Sequence, residues 1–291
     1  MSALSNVVRI WLDDIEWIDI SAGDFSFGTP LALDTLNIPY NYEIMKFPVT
    51  NVQYVKYLRE FFDTYTIENE NGGMVINGIF SHEGEGFFTG EKKYFNFNNS
   101  QIIFDGNDFR ISSGYENHPV TGVSWFGSYQ YAYDNNIRIP NDQEWEKSAR
   151  GLSALNYPWS RESIDCGDGT MVCDLSDCAI GGPPCLDAIS ELNANYSNSG
   201  DPWETNFLAT TPVGFFNGDS STIDSPSIYG VYDMSGNVRE WTVTHDNEGN
   251  YYLKGGSYSH HQNSNELKTW GHEELDPEDE LNNVGFRCVK D

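Results

Sequence analysis

Only three stretches of this 291-residue chain combine helical spacing with a capping residue, and all three are short, so a helical bundle is excluded. The first, FPVTNVQYVKYLREFF, offers Thr50 as N-cap and sets Val52, Tyr54, Val55, Leu58, Phe61 and Phe62 on one face. The second follows NHPVTGVSW, with Ser124 as cap and Trp125, Tyr129, Ala132 and Tyr133 on one face. In the third, RIPNDQEWEKSARG, Asn141 precedes Asp142, Gln143 and Glu144, whose acidity suits the positive end of a helix, and Gly151 can stop it.

The remainder reads in short runs. WIDISAGDFSFGT alternates like a strand and turn, and residues 63–116 break into pieces such as KKYFNF and SQIIF, which predict hairpins and loops without a helix. IYGVYDM, NVREWTVT, YYLKGGSYS and NNVGFRCVKD predict short strands, while residues 152–228 have almost no periodicity. What holds such a fold together is ring area: 8 Trp, 17 Tyr and 17 Phe stand beside 27 Gly and 12 Pro. With no internal repeat and no linker, the expectation is one compact domain over residues 1–291.

Charge narrows the partners. The chain carries 16 Lys+Arg against 44 Asp+Glu, a net −28, so it cannot hold nucleic acid by its general field. The acidity is spread along the chain, as on a solvated surface. No apolar run approaches the roughly 18 residues of a spanning helix, and the start lacks the basic and apolar stretches of a signal peptide, so no membrane insertion is expected.

Cys166, Cys173, Cys178 and Cys185 are spaced x6, x4, x6 and could form two local disulfides or a four-thiolate zinc site. The lack of a C-x2-C pair favours disulfides, and with them an oxidising setting such as a cell surface, periplasm or virion.

Seven segments in order, WIDISAGDFSFGT, FPVTNVQYVKYL, NHPVTGVSWFGSYQYAY, RIPNDQEWEKSARG, YGVYDMSGNVREW, LKGGSY and NVGFRC, together resemble the formylglycine-generating enzyme (sulfatase-modifying factor) superfamily. Its usual forms include HPVxxVSW, YGLYDMxGNVWEW, GGSW and GFR. The resemblance spans nearly the whole chain and implies a single α+β domain over residues 1–291 with little regular structure, a variant of the C-type lectin fold with insertions at about 63–116 and 160–190. Oxidising members of that family place two copper-holding cysteines in GGSYxCxxxxC. Here the string is GGSYSHHQNSN, so His260 and Asn265 stand at those positions, and Asn265 cannot supply a thiolate. Some members pair the cysteine of GFRC with one in the helix after VSW. That position is Ala132 here, so Cys288 is expected to be a buried free thiol.

The resemblance also implies structural Ca2+ in the loop Tyr232 to Trp241, through the Asp233 side chain, the Gly236 and Val238 carbonyls and the Glu240 side chain. A plain alternative is that Asp233 and Glu240 cap the loop by hydrogen bonds. A second family site falls on Asn195 and the Tyr196 and Phe207 carbonyls, with Thr205 where the family has Asp.

Two functions follow. The first is a non-oxidising pseudoenzyme that binds a protein or carbohydrate through the stretch between GGSY and GFR, on Tyr258, His260, His261, Asn263, Asn265, Trp270 and His272, as a surface, virion or decoration protein. The second is a metal-dependent oxidase whose copper or iron is held by histidines. His260 and His261 are adjacent and on an extended strand would face opposite ways, so His245 or His272 would have to join them.

Overall fold

The computed structural model describes residues 15–70, 73–81, 89–159, 164–165, 171–172, 189, 192–205, 209–219 and 222–291. The four clustered cysteines and Phe207 lie outside them.

Strand β1 (Trp17–Ile20) pairs antiparallel with β4 (Tyr42–Met45), and β4 also pairs with β16 (Val289–Lys290), which fastens the two sequence extremes of the fold together. Between β1 and β4, the hairpin of β2 (Gly23–Phe27) and β3 (Asp34–Ile38) packs on a later helix.

Helix α1 (Asn51–Glu60) starts where predicted, with a reciprocal box in which Gln53 N–H donates to Thr50 Oγ1 (3.3 Å) and Thr50 N–H to Gln53 Oε1 (2.8 Å). It buries Tyr54, Val55, Tyr57 and Leu58. Phe61 is already the C-cap and Phe62 begins a short 3-10 turn, so Phe62 leaves the predicted face. Residues 63–116 form no α-helix among those described. They give the sheet β5 (Thr66–Glu70), β6 (Gly73–Phe80) and β7 (Gly90–Asn96), then the hairpin β8 (Ile102–Phe104) and β9 (Phe109–Ile111).

Helix α2 (Trp125–Asp134) is capped by Ser124 and turns Trp125, Phe126, Ser128, Tyr131 and Ala132 inward, which corrects the predicted face. Phe126 and Tyr131 are buried by the aromatic neighbours Phe80 and Phe286, whereas Tyr133, at the last turn, is 56% exposed. Gly127 lets the helix touch β7, since a Cβ there would meet Tyr94 O at 2.1 Å.

Helix α3 (Asp142–Arg150) confirms its predicted ends: Asn141 and Glu144 form a capping box, and Gly151 closes it at φ 56°. Although Glu144, Glu146, Lys147 and Arg150 are charged, the helix is buried from Glu144 to Arg150.

Two further strands, β10 (Ile164–Asp165) and β11 (Met171–Val172), pair antiparallel. The last sheet runs in the order β14 (His272–Leu275), β13 (Tyr251–Lys254), β12 (Arg239–His245), β15 (Val284–Gly285), with β12 and β15 parallel. IYGVYDM is not the predicted strand. The chain there turns, entering left-handed backbone at Gly230 (φ 93°) and Asp233 (φ 57°), which no strand adopts.

Three fully buried tryptophans fasten the helices to this sheet, each with its indole N–H satisfied. Trp125 Nε1 donates to Thr242 O (3.0 Å), Trp241 Nε1 to Val123 O (3.0 Å) and Trp145 Nε1 to Glu240 Oε2 (2.7 Å).

Candidate functional site

After β13 the chain passes through Gly255 (φ 88°) and Gly256 (φ 64°). A side chain at Gly255 would press on the Trp145 ring at 3.0 Å, so only glycine lets the loop lie this close to the core. The turn delivers Ser257 to a fully buried position. Ser257 N–H donates to His260 Nδ1 (2.9 Å), and Ser257 Oγ lies 3.0 Å from the same nitrogen. Because Nδ1 accepts that amide, the ring proton belongs on Nε2, which lies 3.1 Å from Glu273 Oε2.

Glu273 extends the network. Arg239 Nη1 donates to Glu273 Oε2 (2.8 Å) and its Nη2 to Asn283 Oδ1 (2.7 Å). Asn283 Nδ2 donates to Ser259 Oγ (2.7 Å), and Ser259 Oγ sits 3.0 Å from Ser257 Oγ, which closes a ring of six side chains. Burial alone would raise the Glu273 pKa, but the His260 hydrogen bond and the Arg239 charge outweigh it and hold the carboxyl at about 2.

Of the predicted face, Tyr258 and His260 belong to this walled-in layer. Tyr258 N–H donates to Asn237 O (3.0 Å) and its hydroxyl to Asn282 O (3.1 Å), with burial pushing the phenol up to about 12. His261, Asn263 and Asn265 are exposed on the turn that follows, with Asn263 at φ 69° and Asn265 accepting Lys268 Nζ (3.0 Å). His260 is half-buried and His261 exposed, and the pair lies on a bend and an isolated bridge to Ser197 rather than on a strand. Trp270 is half-buried, its indole bonded to Asn156 Oδ1 (3.0 Å) and its ring under Lys268 Nζ (5.1 Å). His272 is not brought to the same place. It neighbours Glu273 on β14 and so faces the other way, stacking on Tyr252 at 4.5 Å.

Sequence reading missed Arg239, Glu273, Asn283, Ser257 and Ser259. The available signal was VREW, which puts a cation where the resembled family has Trp.

The loop Tyr232 to Trp241 meets Tyr258 through the Asn237 carbonyl. Gly236 N–H donates to Gly255 O (2.8 Å) and Asn237 N–H to Asn195 O (2.9 Å), so the loop, the glycine turn and Asn195 meet. A Cβ at Gly236 would strike Asn195 O at 2.1 Å. Arg287, fully buried, donates from Nε to Glu240 Oε2 and from Nη2 to Glu240 Oε1 (both 2.7 Å), and Nη2 also reaches Tyr232 O (2.8 Å). Glu240 Oε2 is therefore filled by Arg287 and Trp145, while its Oε1 accepts from Arg287 alone among the described residues.

Asp233 Oδ2 accepts Gly214 N–H (2.7 Å), yet burial pushes its carboxyl up to about 6. The residues the resemblance implies for a cation are the Asp233 side chain, the Gly236 and Val238 carbonyls and the Glu240 side chain, and of these Glu240 is already engaged by Arg287 and Trp145. At the second site, Asn195 Nδ2 donates to Ala209 O (2.7 Å), and Tyr196 O accepts Ser199 N–H (2.9 Å). Among the described residues no three of His, Cys, Asp and Glu converge as a metal-binding group, so ligands at either place would be completed by backbone and amide oxygens. Cys288 is free and fully buried, as expected. No helix among the described residues is long and apolar enough to cross a membrane.

The profile of a family described as sulfatase-modifying factor enzyme 1-like domain matches residues 13–291. The chain is 27% identical over 238 residues to serine/threonine-protein kinase pkn1 of Chlamydia pneumoniae, covering 78% of this chain and 27% of that protein. It is 30% identical over 193 residues to the formylglycine-generating enzyme of Mus musculus, covering 60% of this chain and 45% of that one. The matches thus span between about a quarter and a half of these relatives. Among solved structures, PvdO from Pseudomonas aeruginosa superposes with a TM-score of 0.59 at 17% identity, covering 95% of this chain and 94% of that one. CarF superposes at 0.53 and 22%, covering 95% and 98%. At these identities both speak to fold alone.

Proposed function

The chain belongs to the sulfatase-modifying factor enzyme 1-like family, and from that premise we propose that it is a non-oxidising member that binds a protein or carbohydrate through the surface between Ser257 and Asn283. The observation that carries this reading is the state of His260. At the position of the first family thiol, both ring nitrogens are spent inside the protein, Nδ1 on Ser257 and Nε2 on Glu273, so neither is left to hold copper or iron. The position of the second thiol holds exposed Asn265. The same network stiffens the base of the turn that displays Ser259, His261, Gln262, Asn263 and Asn265. A prepaid loop conformation lowers the ordering cost of binding.

The proposal includes structural calcium in the loop around Asp233, supported by the half-buried Asp233 carboxyl, which has the Glu240 carboxylate near it. An oxidising exterior as its setting rests on the four clustered cysteines of the sequence alone.

The test has two arms. Protein purified without chelator is analysed for copper, iron, zinc and calcium, and incubated with a CxPxR peptide under air. No copper or iron and no formylglycine are expected; stoichiometric copper or product would replace this reading with an oxidase. In the second arm, purified protein is applied to glycan and surface-protein arrays. Signal that disappears when His261, Asn263 and Asn265 are changed together to Ala is expected, and signal that survives the change would move the site elsewhere.

A further inference from the structure

A buried cationic cluster lies away from this surface, under the β2–β3 hairpin. Arg150 at the end of α3 is 0% exposed, Lys254 at the end of β13 is 2% exposed, and both share one carboxylate, Glu146, itself 1% exposed. Lys254 Nζ donates to Glu146 Oε2 (2.9 Å), while Arg150 Nη2 donates to Glu146 Oε1 and to Gly28 O (2.5 Å). Gly28 N–H also donates to Glu146 Oε1 (2.9 Å), which locks the hairpin over the pair. The next cation, Lys147, spends its Nζ on Gly23 O (2.9 Å), with Asp24 nearby on the same strand.

Two features of this cluster are out of balance. Glu146 neutralises one of the two cations it binds, so this group keeps a net positive charge in a chain whose total is −28. Moreover, Arg150 Nε and Nη1 are buried without a hydrogen-bond partner among the described residues, although a guanidinium normally uses its donors. Charge and orphan donors ask for the same thing, an acceptor that is negative. Full enclosure sets its size, because a phosphate or organic acid could not enter beneath the hairpin without displacing it.

We propose that Arg150 Nε and Nη1 bind a small monovalent inorganic anion of halide size, enclosed by the β2–β3 hairpin and the end of α3. The anion supplies the missing counter-charge and ties the hairpin to the helix.

Crystals soaked in bromide test this directly. An anomalous peak within hydrogen-bond reach of Arg150 Nε and Nη1 is expected, whereas a neutral water there, or no peak, overturns the proposal. In solution, replacing gluconate by chloride or bromide at constant ionic strength should raise Tm by a few degrees and saturate, as binding to the folded state alone requires. Arg150→Met should abolish that rise. If the variant does not fold, the bromide peak in the unaltered protein decides, and a Tm rise without a peak at Arg150 counts against the site.

Discussion

His260 Nε2 stands 3.1 Å from Glu273 Oε2, so the imidazole at the position of the first family thiol is held by a carboxylate. The pairing has an acid signature. Glu273 is held at about 2, below its ordinary 4.5, so its stabilising contribution is complete above pH 4.5 and is lost as pH falls through about 2. Glu273→Gln should lower unfolding free energy by about 1 kcal/mol at pH 7, a value reduced for solvent screening of a half-exposed group. It should also flatten the acid limb of stability between those two pH values, read by urea unfolding from pH 2 to pH 7.

Arg287 and Glu240 carry more weight, because neither reaches solvent and the guanidinium also binds Tyr232 O and Met45 O (3.1 Å). Removing one partner leaves a buried unpaired charge. Arg287→Met should cost about 3–5 kcal/mol in chemical denaturation. Arg287→Lys should recover little of that, since an ammonium cannot reproduce the two-pronged bond to the carboxylate.

Asp233 distinguishes a calcium loop from a self-capped one. With its carboxyl raised to about 6 from 3.8, the ion-free protein has a stability contribution that is full below pH 3.8 and lost as pH rises through 6. Calcium should reverse this by favouring the carboxylate. At a hundredfold excess over Kd it should add about 2.7 kcal/mol at pH 7. Asp233→Asn should remove both the pH dependence and the calcium response. Thermal unfolding with calcium and with EDTA checks this, and identical curves would leave the loop to Arg287 alone.

Most of the framework was readable in the sequence because its signals are local. The Thr50 and Asn141 boxes are satisfied within four residues, so capping chemistry places the starts of α1 and α3 without knowledge of the rest. The face of α2 misled because burial there depends on Phe80 and Phe286, far apart in sequence. IYGVYDM misled for a similar reason: its apolar alternation is real, but the chain turns where Arg287, more than fifty residues on, draws the carbonyl of Tyr232 inward. The site was half legible. The loss of both thiols was plain from His260 and Asn265, whereas the partners Glu273 and Arg239 converge only once β14, β13 and β12 pair side by side.

Cys288 gives the last prediction. It is the thiol nearest in sequence to the altered GGSY string, so an oxidase reading would have to recruit it. The geometry opposes that. Burial pushes its thiol far above the ordinary range, with the Glu240 charge adding to the effect, and no surface of the residue is exposed. A thiol in that state is neither nucleophile nor metal ligand. Iodoacetamide at pH 8 should leave Cys288 unmodified in the native protein and alkylate it fully in denaturant, as read by peptide mass mapping of that one residue. Native labelling at the rate of an exposed thiol would show that the C-terminal strand opens, and would return Cys288 to the list of groups able to do chemistry.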